Sequence, residues 1–408
     1  MAFASAGGAL AEGAAAQFRL LDRRRHVGLV EGADAGSGRD DLIDPVEYIV
    51  GKDDLHPREK VVELLHGAGT EQRGRDTRVR LHLAADRSVV MKKRADTDSF
   101  AAELAALEYL NGMPEPVAPR LLGADAEAGI VLMEDLGPGR SLADSLLTGD
   151  RSRVRADLVG YAEALGSVHA WSMGSRDPRL GTPPWLGAVA RGKDAFLGAA
   201  VSLGLAAAGA ATEIDQLLLM LTETGYQGLV HGDACPDNVR FLDGRCRIFD
   251  FEHSGWGPVV LDASYLLAPF PSCWCFGRLP AAVATPAMAA YRSRLEAAGI
   301  DLGPSWDAAM TAALGAWILA WGDRIARVLE EDHQWGTTTM RPRLLTWLRS
   351  FTAAADRSGV LPGLRVLAGD LHERLSARWP QAVIADYPAL ARHGAAQVQI
   401  PDFWQPQV

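Results

Sequence analysis

Asp233, Asn238 and Asp250 fall within one short run of the chain, His231-Gly232-Asp233-Ala234-Cys235-Pro236-Asp237-Asn238 followed by Ile248-Phe249-Asp250-Phe251-Glu252. Two carboxylates and an amide in this order can share the work of phosphoryl transfer. One carboxylate accepts the proton of an attacking hydroxyl, while the amide oxygen and the second carboxylate hold Mg²⁺ on nucleotide phosphates. Hard Mg²⁺ takes oxygen ligands and keeps several waters, so one Asn and one Asp suffice when phosphates complete the shell.

Such groups act together only if the chain folds them together, and the local sequence supplies the means. Gly228-Leu229-Val230 reads as a short apolar strand ending at His231, and Pro236 stiffens the loop that follows. Val239–Leu242, Asp243-Gly244 and Arg245–Phe249 read as a hairpin, because an Asp-Gly pair provides the positive φ of a tight primed turn. That hairpin returns Asp250 towards Asn238, as a shared metal site requires.

Taken in order, HGDACPDN, hairpin, IFDFE, Gly257-Pro258 and Asp262 resemble the catalytic core of the aminoglycoside phosphotransferase and choline kinase-like family, a branch of the protein-kinase-like superfamily. The resemblance implies that Asp233 is the catalytic aspartate, Asn238 and Asp250 are metal ligands, His231 braces the loop and Asp262 is a structural anchor in the C-lobe. It implies an α+β, bilobal protein-kinase-like fold, with a small mixed N-lobe and a larger, mostly helical C-lobe.

An N-lobe is visible upstream. Arg78–Leu83 alternates polar and apolar residues, Ala84–Arg87 reads as a turn, and Ser88–Lys92 reads as a second strand. By alternation Val89 and Met91 share one face and Val90 and Lys92 the other. Lys92 is then the counterpart of the family's phosphate-binding lysine; a shift of register would substitute Lys93. Lys93 and Arg94 are expected as solvent-facing or strand-end charges. The run Phe100-x-x-Glu103-x-x-x-Leu107-x-x-Leu110 has helical spacing and resembles the family's N-lobe helix, in which Glu103 pairs with Lys92. Glu108 has a weaker claim to that role. Gly129–Gly137 resembles the last N-lobe strand and the hinge, where backbone groups of Met133, Glu134 and Asp135 would meet an adenine ring. Gly67, Gly69 and Thr70 are candidates for the phosphate-covering loop, with Gly74 as an alternative tip; no full G-x-G-x-x-G occurs there.

Domain expectations are a low-complexity tail over 1–38, an N-lobe over 39–135 and a C-lobe over 136–408. A short helix or two is expected within 40–62. Helical periodicity marks 153–169, 190–205, 213–224, 286–298, 306–329 and 340–358. His169 is expected to be structural. No charge-free apolar run of membrane-spanning length occurs and the Ala/Gly-rich front lacks a basic start, so a cytoplasmic location is expected. Four cysteines in 408 residues do not suggest a disulfide framework, and Cys273-Trp274-Cys275 lacks a second pair at metal-ligand spacing.

Acceptor identity is the least legible property. The balance of 51 acidic against 41 basic residues, net −10, disfavours nucleic acid and agrees with a cationic acceptor. Glu252, Asp323, Glu330, Glu331 and Asp332 are candidate carboxylates for ammonium groups, although the 330–332 run also reads as a solvated helix end. Trp171, Trp185, Trp256, Trp274, Trp317, Trp321 and Trp335 could instead wall an aromatic pocket for a quaternary amine or a sugar face, or serve as core. The expectation is an ATP-dependent (or GTP-dependent) Mg²⁺ enzyme that phosphorylates a hydroxyl of an aminoglycoside-like or other amino or sugar alcohol. Choline, ethanolamine, homoserine, a sugar, a ketosamine or a macrolide remain as acceptors of the same chemistry. From another class, a catalytically silent nucleotide-binding pseudokinase remains, and a paired-carboxylate hydrolase lacks an identifiable nucleophile.

Overall fold

Two units divide the chain, one comprising residues 1–104 and 119–137, the other 105–118 and 138–408. The computed structural model describes residues 46–49, 77–83 and 87–391. Gly67, Gly69, Thr70 and Gly74, the expected turn at 84–86 and the N-terminal tail lie outside these.

The first unit is built on a five-stranded sheet of order β1-β2-β3-β5-β4, with β1 at Val46–Ile49, β2 at Thr77–Leu83, β3 at Arg87–Lys93, β4 at Leu121–Asp125 and β5 at Ile130–Glu134. Only β1 pairs in parallel, with β2. Within the stretch 40–62, where a short helix or two is expected, the described residues Val46–Ile49 form a strand, whose β-branched and aromatic residues suit a ladder; the rest of the stretch lies outside the described residues. Alternation along β2 and β3 sends Val79, Leu81, Val89 and Met91 to one face, where Ile130 completes a buried cluster. Val90 and Lys92 face the other way.

A helix over Thr97–Leu110 follows β3. Ser99 N donates to Asp96 Oδ2 at 2.8 Å and Phe100 N to Asp96 O at 3.0 Å, so Asp96 secures the helix start. The helix crosses the division of the chain at 104/105.

Among its described residues, the second unit is mostly helical and carries three two-stranded ladders, β6 (Gln227–Val230) with β9 (Gly255–Pro258), β7 (Val239–Leu242) with β8 (Arg245–Ile248), and β10 (Gln334–Trp335) with β11 (Thr338–Thr339). Its long helices span Arg151–Ser172, Pro184–Ser202, Ala208–Thr222, Ala281–Ala297, Pro304–Ala320, Met340–Ser358 and Pro362–Arg378. Large side chains including Trp306, Trp317, Trp347, Tyr161 and Phe351 are buried between them.

Two departures from the sequence pattern have local causes. The expected helix 306–329 is two helices, Pro304–Ala320 and Gly322–Glu330, joined at Trp321. The break coincides with a backbone crossing: a Cβ on Gly322 would stand 2.4 Å from the Gly192 carbonyl oxygen. The helix Pro362–Arg378, unmarked in the sequence reading, begins with Pro at a first-turn position where the missing N–H costs nothing. Among the described residues, no helix is long and apolar enough to cross a membrane.

Candidate active site

The catalytic loop lies wholly in the second unit. Leu229 and Val230 are fully buried, and β6 runs antiparallel to β9 with Val230 opposite Gly255. The chain leaves this ladder at His231, where three groups fix its direction. Asp262, without solvent exposure, accepts the His231 N–H at 2.6 Å through Oδ2 and the Gly232 N–H at 3.1 Å through Oδ1. His169 Nε2 lies 3.2 Å from the same Oδ2, and Tyr291 Oη is 2.7 Å from His169 Nδ1. A chain Tyr291 O–H to Nδ1, Nε2–H to Asp262 satisfies every polar atom in it, as burial demands. Gly232 has φ +81°, and a Cβ there would come 2.1 Å from the His253 carbonyl oxygen, so only glycine permits this turn.

His231 braces the loop as a neutral imidazole. The Asp233 N–H donates to its Nδ1 at 3.2 Å, which leaves Nε2–H to donate to the Phe249 carbonyl at 3.0 Å. Burial pushes the His231 pKa down, in agreement with the neutral form.

Asp233 is partly buried. Its Oδ1 accepts from Ser272 Oγ at 2.6 Å, and Asn238 Nδ2 approaches Oδ2 at 3.3 Å while donating to the Asp233 carbonyl at 2.9 Å. Burial pushes the Asp233 pKa up to about 8, opposed by the Ser272 hydrogen bond and reinforced by the charges of Asp237, Asp250 and Glu252. With its amide nitrogen committed to Asp233, Asn238 has Oδ1 as the atom able to ligate a cation.

The β7–β8 hairpin turns through Asp243 (φ +49°) and Gly244 (φ +76°), with Leu242 opposite Arg245. Its return brings Phe249 N–H within 3.0 Å of the Asn238 carbonyl oxygen, so Asp250 follows directly after a residue bonded to Asn238. Asp250 holds φ +72°, a conformation that costs an L-residue energy and tends to persist where function over-determines it. The donors fit a hard divalent cation: every candidate atom is oxygen, and Asp237 Oδ1, one residue before Asn238, is buried without a hydrogen-bond partner.

Lys92, Glu103 and the expected hinge belong to the first unit. Lys92 Nζ pairs with Glu103 Oε1 at 2.6 Å, the two side chains 4% and 0% exposed. Arg94, expected as a solvent-facing or strand-end charge, stands just past the end of β3 and is buried, its Nε paired with Glu103 Oε2 at 3.0 Å. Glu103 has two oxygens and Arg94 N is tied to the Gly129 carbonyl at 2.9 Å, so the strand end turns inward and the second oxygen is taken. Glu108 pairs with Arg179 in the second unit.

Along the expected hinge, Met133 is buried, and Glu134 is joined to Arg120 through both its N–H (2.8 Å) and its carboxylate, which accepts the Arg120 N–H at 3.1 Å. Asp135 accepts from Arg80 Nε at 2.7 Å, Ser88 Oγ at 2.5 Å and Gly137 N at 2.9 Å. Burial alone would raise the Asp135 pKa, but these three donors outweigh it and hold the group below the usual range. The Asp135 side chain is thus a structural tie.

The acidic acceptor candidates have mixed placements. Asp323 stands exposed in the first turn of its helix, and Glu330 and Glu331 are exposed at its end. Asp332 Oδ1 accepts the Arg341 N–H at 3.0 Å, capping the Met340–Ser358 helix, so it has a structural duty. Glu252 is partly buried, with His253 Nε2 3.8 Å from its Oε1. Nearer to the loop is Trp185, whose Nε1–H donates to the Gly232 carbonyl; its ring meets Trp317 at 5.0 Å and Trp321 at 5.8 Å.

One feature corrects the sequence expectation outright: Cys235 and Cys273 form a disulfide, while Cys246 and Cys275 are free and buried. Thirty-eight residues separate the pair along the chain, so nothing in the spacing announces it. Alkylation in denaturant without a reductant is expected to label Cys246 and Cys275 alone, and mass mapping that found four labelled cysteines would contradict the bond.

The family model described as the phosphotransferase enzyme family matches residues 72–300, more than half of the 408-residue chain. No curated protein matches. Among solved structures, the chain is similar to an amicoumacin kinase in complex with AMP-PNP, Ca²⁺ and Ami (15% identity, 78% of this chain and 96% of that one, TM-score 0.47). It is also similar to a choline kinase from Cryptosporidium parvum Iowa II (11% identity, 80% and 99%, TM-score 0.43). A third is an ADP-bound aminoglycoside phosphotransferase (13% identity, 78% and 98%, TM-score 0.42). The match of the family model over residues 72–300, which takes in the whole run from Lys92 to Asp262, shows that the chain belongs to the phosphotransferase enzyme family.

Proposed function

We propose that this phosphotransferase moves the γ-phosphate of ATP to a hydroxyl of a small, amine-bearing alcohol with Mg²⁺ as cofactor. The observation that carries the reading is the constellation around Asp233: a carboxylate of raised pKa aimed by Ser272 and Asn238, on a loop whose backbone Asp262 and His231 hold rigid. Asp233 would accept the acceptor's proton as its oxygen attacks phosphorus. Asn238 Oδ1 and the Asp250 carboxylate would hold the cation, which when bound neutralises charge on the phosphate oxygens. Lys92, oriented by Glu103, would hold nucleotide phosphates, and the backbone of Met133–Asp135 would meet the base. The expected loop at Gly67, Gly69 and Thr70 completes the reading as a proposal of its own.

For the acceptor, the net charge of −10 and Glu252 favour an ammonium-bearing molecule. Trp185, partly exposed and bonded to the Gly232 carbonyl, favours a second form of the same reading, in which a quaternary amine rests against aromatic faces. Asp323, Glu330 and Glu331 stay candidates for a polyamine sugar. We place the enzyme in the cytoplasm, where ATP is available.

Asp250→Ala is expected to lose most of the Mg²⁺-dependent part of ATP affinity, read by titration calorimetry with and without the metal. An affinity for Mg·ATP equal to that of the wild type would remove Asp250 from the metal site.

A further inference from the structure

Ser272, Cys273 and Trp274 meet the catalytic loop at three alternate positions in turn. Ser272 Oγ donates to Asp233 Oδ1 at 2.6 Å, Cys273 is bonded to Cys235, and Trp274 Nε1–H donates to Asp237 Oδ2 at 2.7 Å. Tyr265 Oη stands 2.6 Å from Ser272 Oγ; with the serine proton given to the carboxylate, the phenol must donate, which aims the serine hydroxyl.

Behind this contact the segment is held by its carbonyl oxygens. Arg343 Nη1 donates to Cys273 O at 2.7 Å, Thr337 N to Trp274 O at 2.8 Å, Tyr387 Oη to Cys275 O at 2.6 Å and Thr337 Oγ1 to Phe276 O at 2.7 Å. Arg343 has no solvent exposure, and its guanidinium lies over the rings of Phe276 at 4.5 Å and Trp335 at 4.1 Å. Four successive carbonyls with buried donors make the segment a stiff support. The loop it faces is tied between Asp233 and Asn238 by two short turn bonds, by Asn238 Nδ2 to the Asp233 carbonyl at 2.9 Å, and by Tyr161 Oη to Ala234 O at 2.7 Å and Ala143 N–H to Pro236 O at 3.1 Å; the side chains of Asp233 and Asp237 are aimed from the facing segment.

We infer that Ser272 and Trp274 are positioning residues for phosphoryl transfer: with the Cys235–Cys273 bond between them, they fix residues 233–237 so that Asp233 keeps the orientation in which it takes the acceptor's proton. The inference rests on the phosphotransferase reading above. A support of this kind acts on the chemical step, because a displaced base loses rate even where both substrates still bind.

The experiment measures kcat and KM for ATP by ADP release from Mg·ATP, using the best acceptor of an amino-alcohol and amino-sugar panel, with melting followed in parallel. Ser272→Ala is expected to lower kcat about 10- to 100-fold with KM for ATP changed less than about twofold. Ser272→Thr, which keeps the hydroxyl, should recover most of the loss, and Trp274→Phe, which keeps a ring without the N–H, should lower kcat in the same direction. Reduction supplies a test on the unmutated protein: a dithiol thiolate attacks one sulfur of the Cys235–Cys273 bond, its second thiolate releases the mixed disulfide, and the reagent leaves oxidised while two protein thiols form. Turnover should fall once mass mapping shows four thiols.

Folded Ser272→Ala and Trp274→Phe proteins with kcat within about twofold of wild type would overturn the inference. So would a Ser272→Thr protein as impaired as Ser272→Ala, or, where the substituted proteins do not fold, unchanged turnover after complete reduction. Absence of ADP release from the wild type with every acceptor has a different meaning, since it would remove the phosphotransferase reading and this inference with it.

Discussion

Asp233→Asn is expected to lower kcat by about 10²- to 10⁴-fold, the range over which a positioned general base contributes, while leaving the affinity for Mg·ATP near that of the wild type. The split follows from the geometry. Asp233 makes its contacts through Ser272 and the Asn238 amide, and an asparagine preserves its shape while lacking a basic oxygen at neutral pH. Stability should move the other way. Because the folded-state pKa of Asp233 is raised to about 8, the folded chain holds this proton where the unfolded chain has released it. Its contribution is therefore full in acid and declines as pH rises from the ordinary carboxylate range towards 8. The metal-free Asn variant lacks that decline, so the stability difference between variant and wild type, read by denaturant unfolding, should shift in the variant's favour from pH 5 to pH 8. A flat difference would remove the raised pKa from the account.

Asp262→Ala is expected to cost roughly 3–5 kcal/mol, the scale of breaking a buried charged network by removing one partner. The Ala side chain would strand the His231 and Gly232 N–H groups and His169 Nε2 in an interior without water. Asp262→Asn should recover only part of this, since one amide oxygen cannot replace two carboxylate oxygens. Thermal melting of the two proteins would show the order wild type, Asn, Ala; an Ala variant that melted with wild type would mean that the loop is held elsewhere. Residual folded Asp262→Ala protein should also turn over slowly, because its loop has lost the anchor nearest to Asp233.

Much of this site could be written from the chain because its information is local. The order HGDACPDN with an Asp-Gly hairpin behind it determines both the loop and the return of Asp250, and the structure shows the turn at Asp243-Gly244 and the Phe249–Asn238 bond that result. Strand alternation placed Lys92 opposite the Val89 and Met91 face, helical spacing marked the helix that carries Glu103, and the family resemblance implied their pairing; the ion pair between them is present. What the chain concealed is non-local. Ser272 and Trp274 carry no motif, and their value comes from being folded against Asp233 and Asp237. The Cys235–Cys273 bond was hidden for the same reason, because four cysteines without regular spacing give no sign of which two will meet. Arg94 stands at a strand end as one form of the expectation had it, but its burial was not legible, because it depends on the second oxygen of Glu103 drawing the guanidinium inward. Helix boundaries failed where another helix, not the local sequence, decides them, as at the Gly192–Gly322 crossing.

The site has a consistent division of labour. Side chains with no chemistry of their own, namely Asp262, His231, His169 and Tyr291, saturate the backbone around Gly232. On the proposed reading, a loop held in this way would present Asp233 and Asn238 with their geometry fixed in advance of binding, which is where such sites gain their rate.

Acceptor-dependent ADP release from Mg·ATP, measured on wild type and Asp233→Asn side by side across a panel of amino alcohols and amino sugars, tests the central claim most directly. The account predicts that at least one hydroxyl compound stimulates ADP release by the wild type, that mass spectrometry finds the phosphate on that compound, and that the Asn variant binds nucleotide without doing so. Equal acceptor phosphorylation by the two proteins would contradict it.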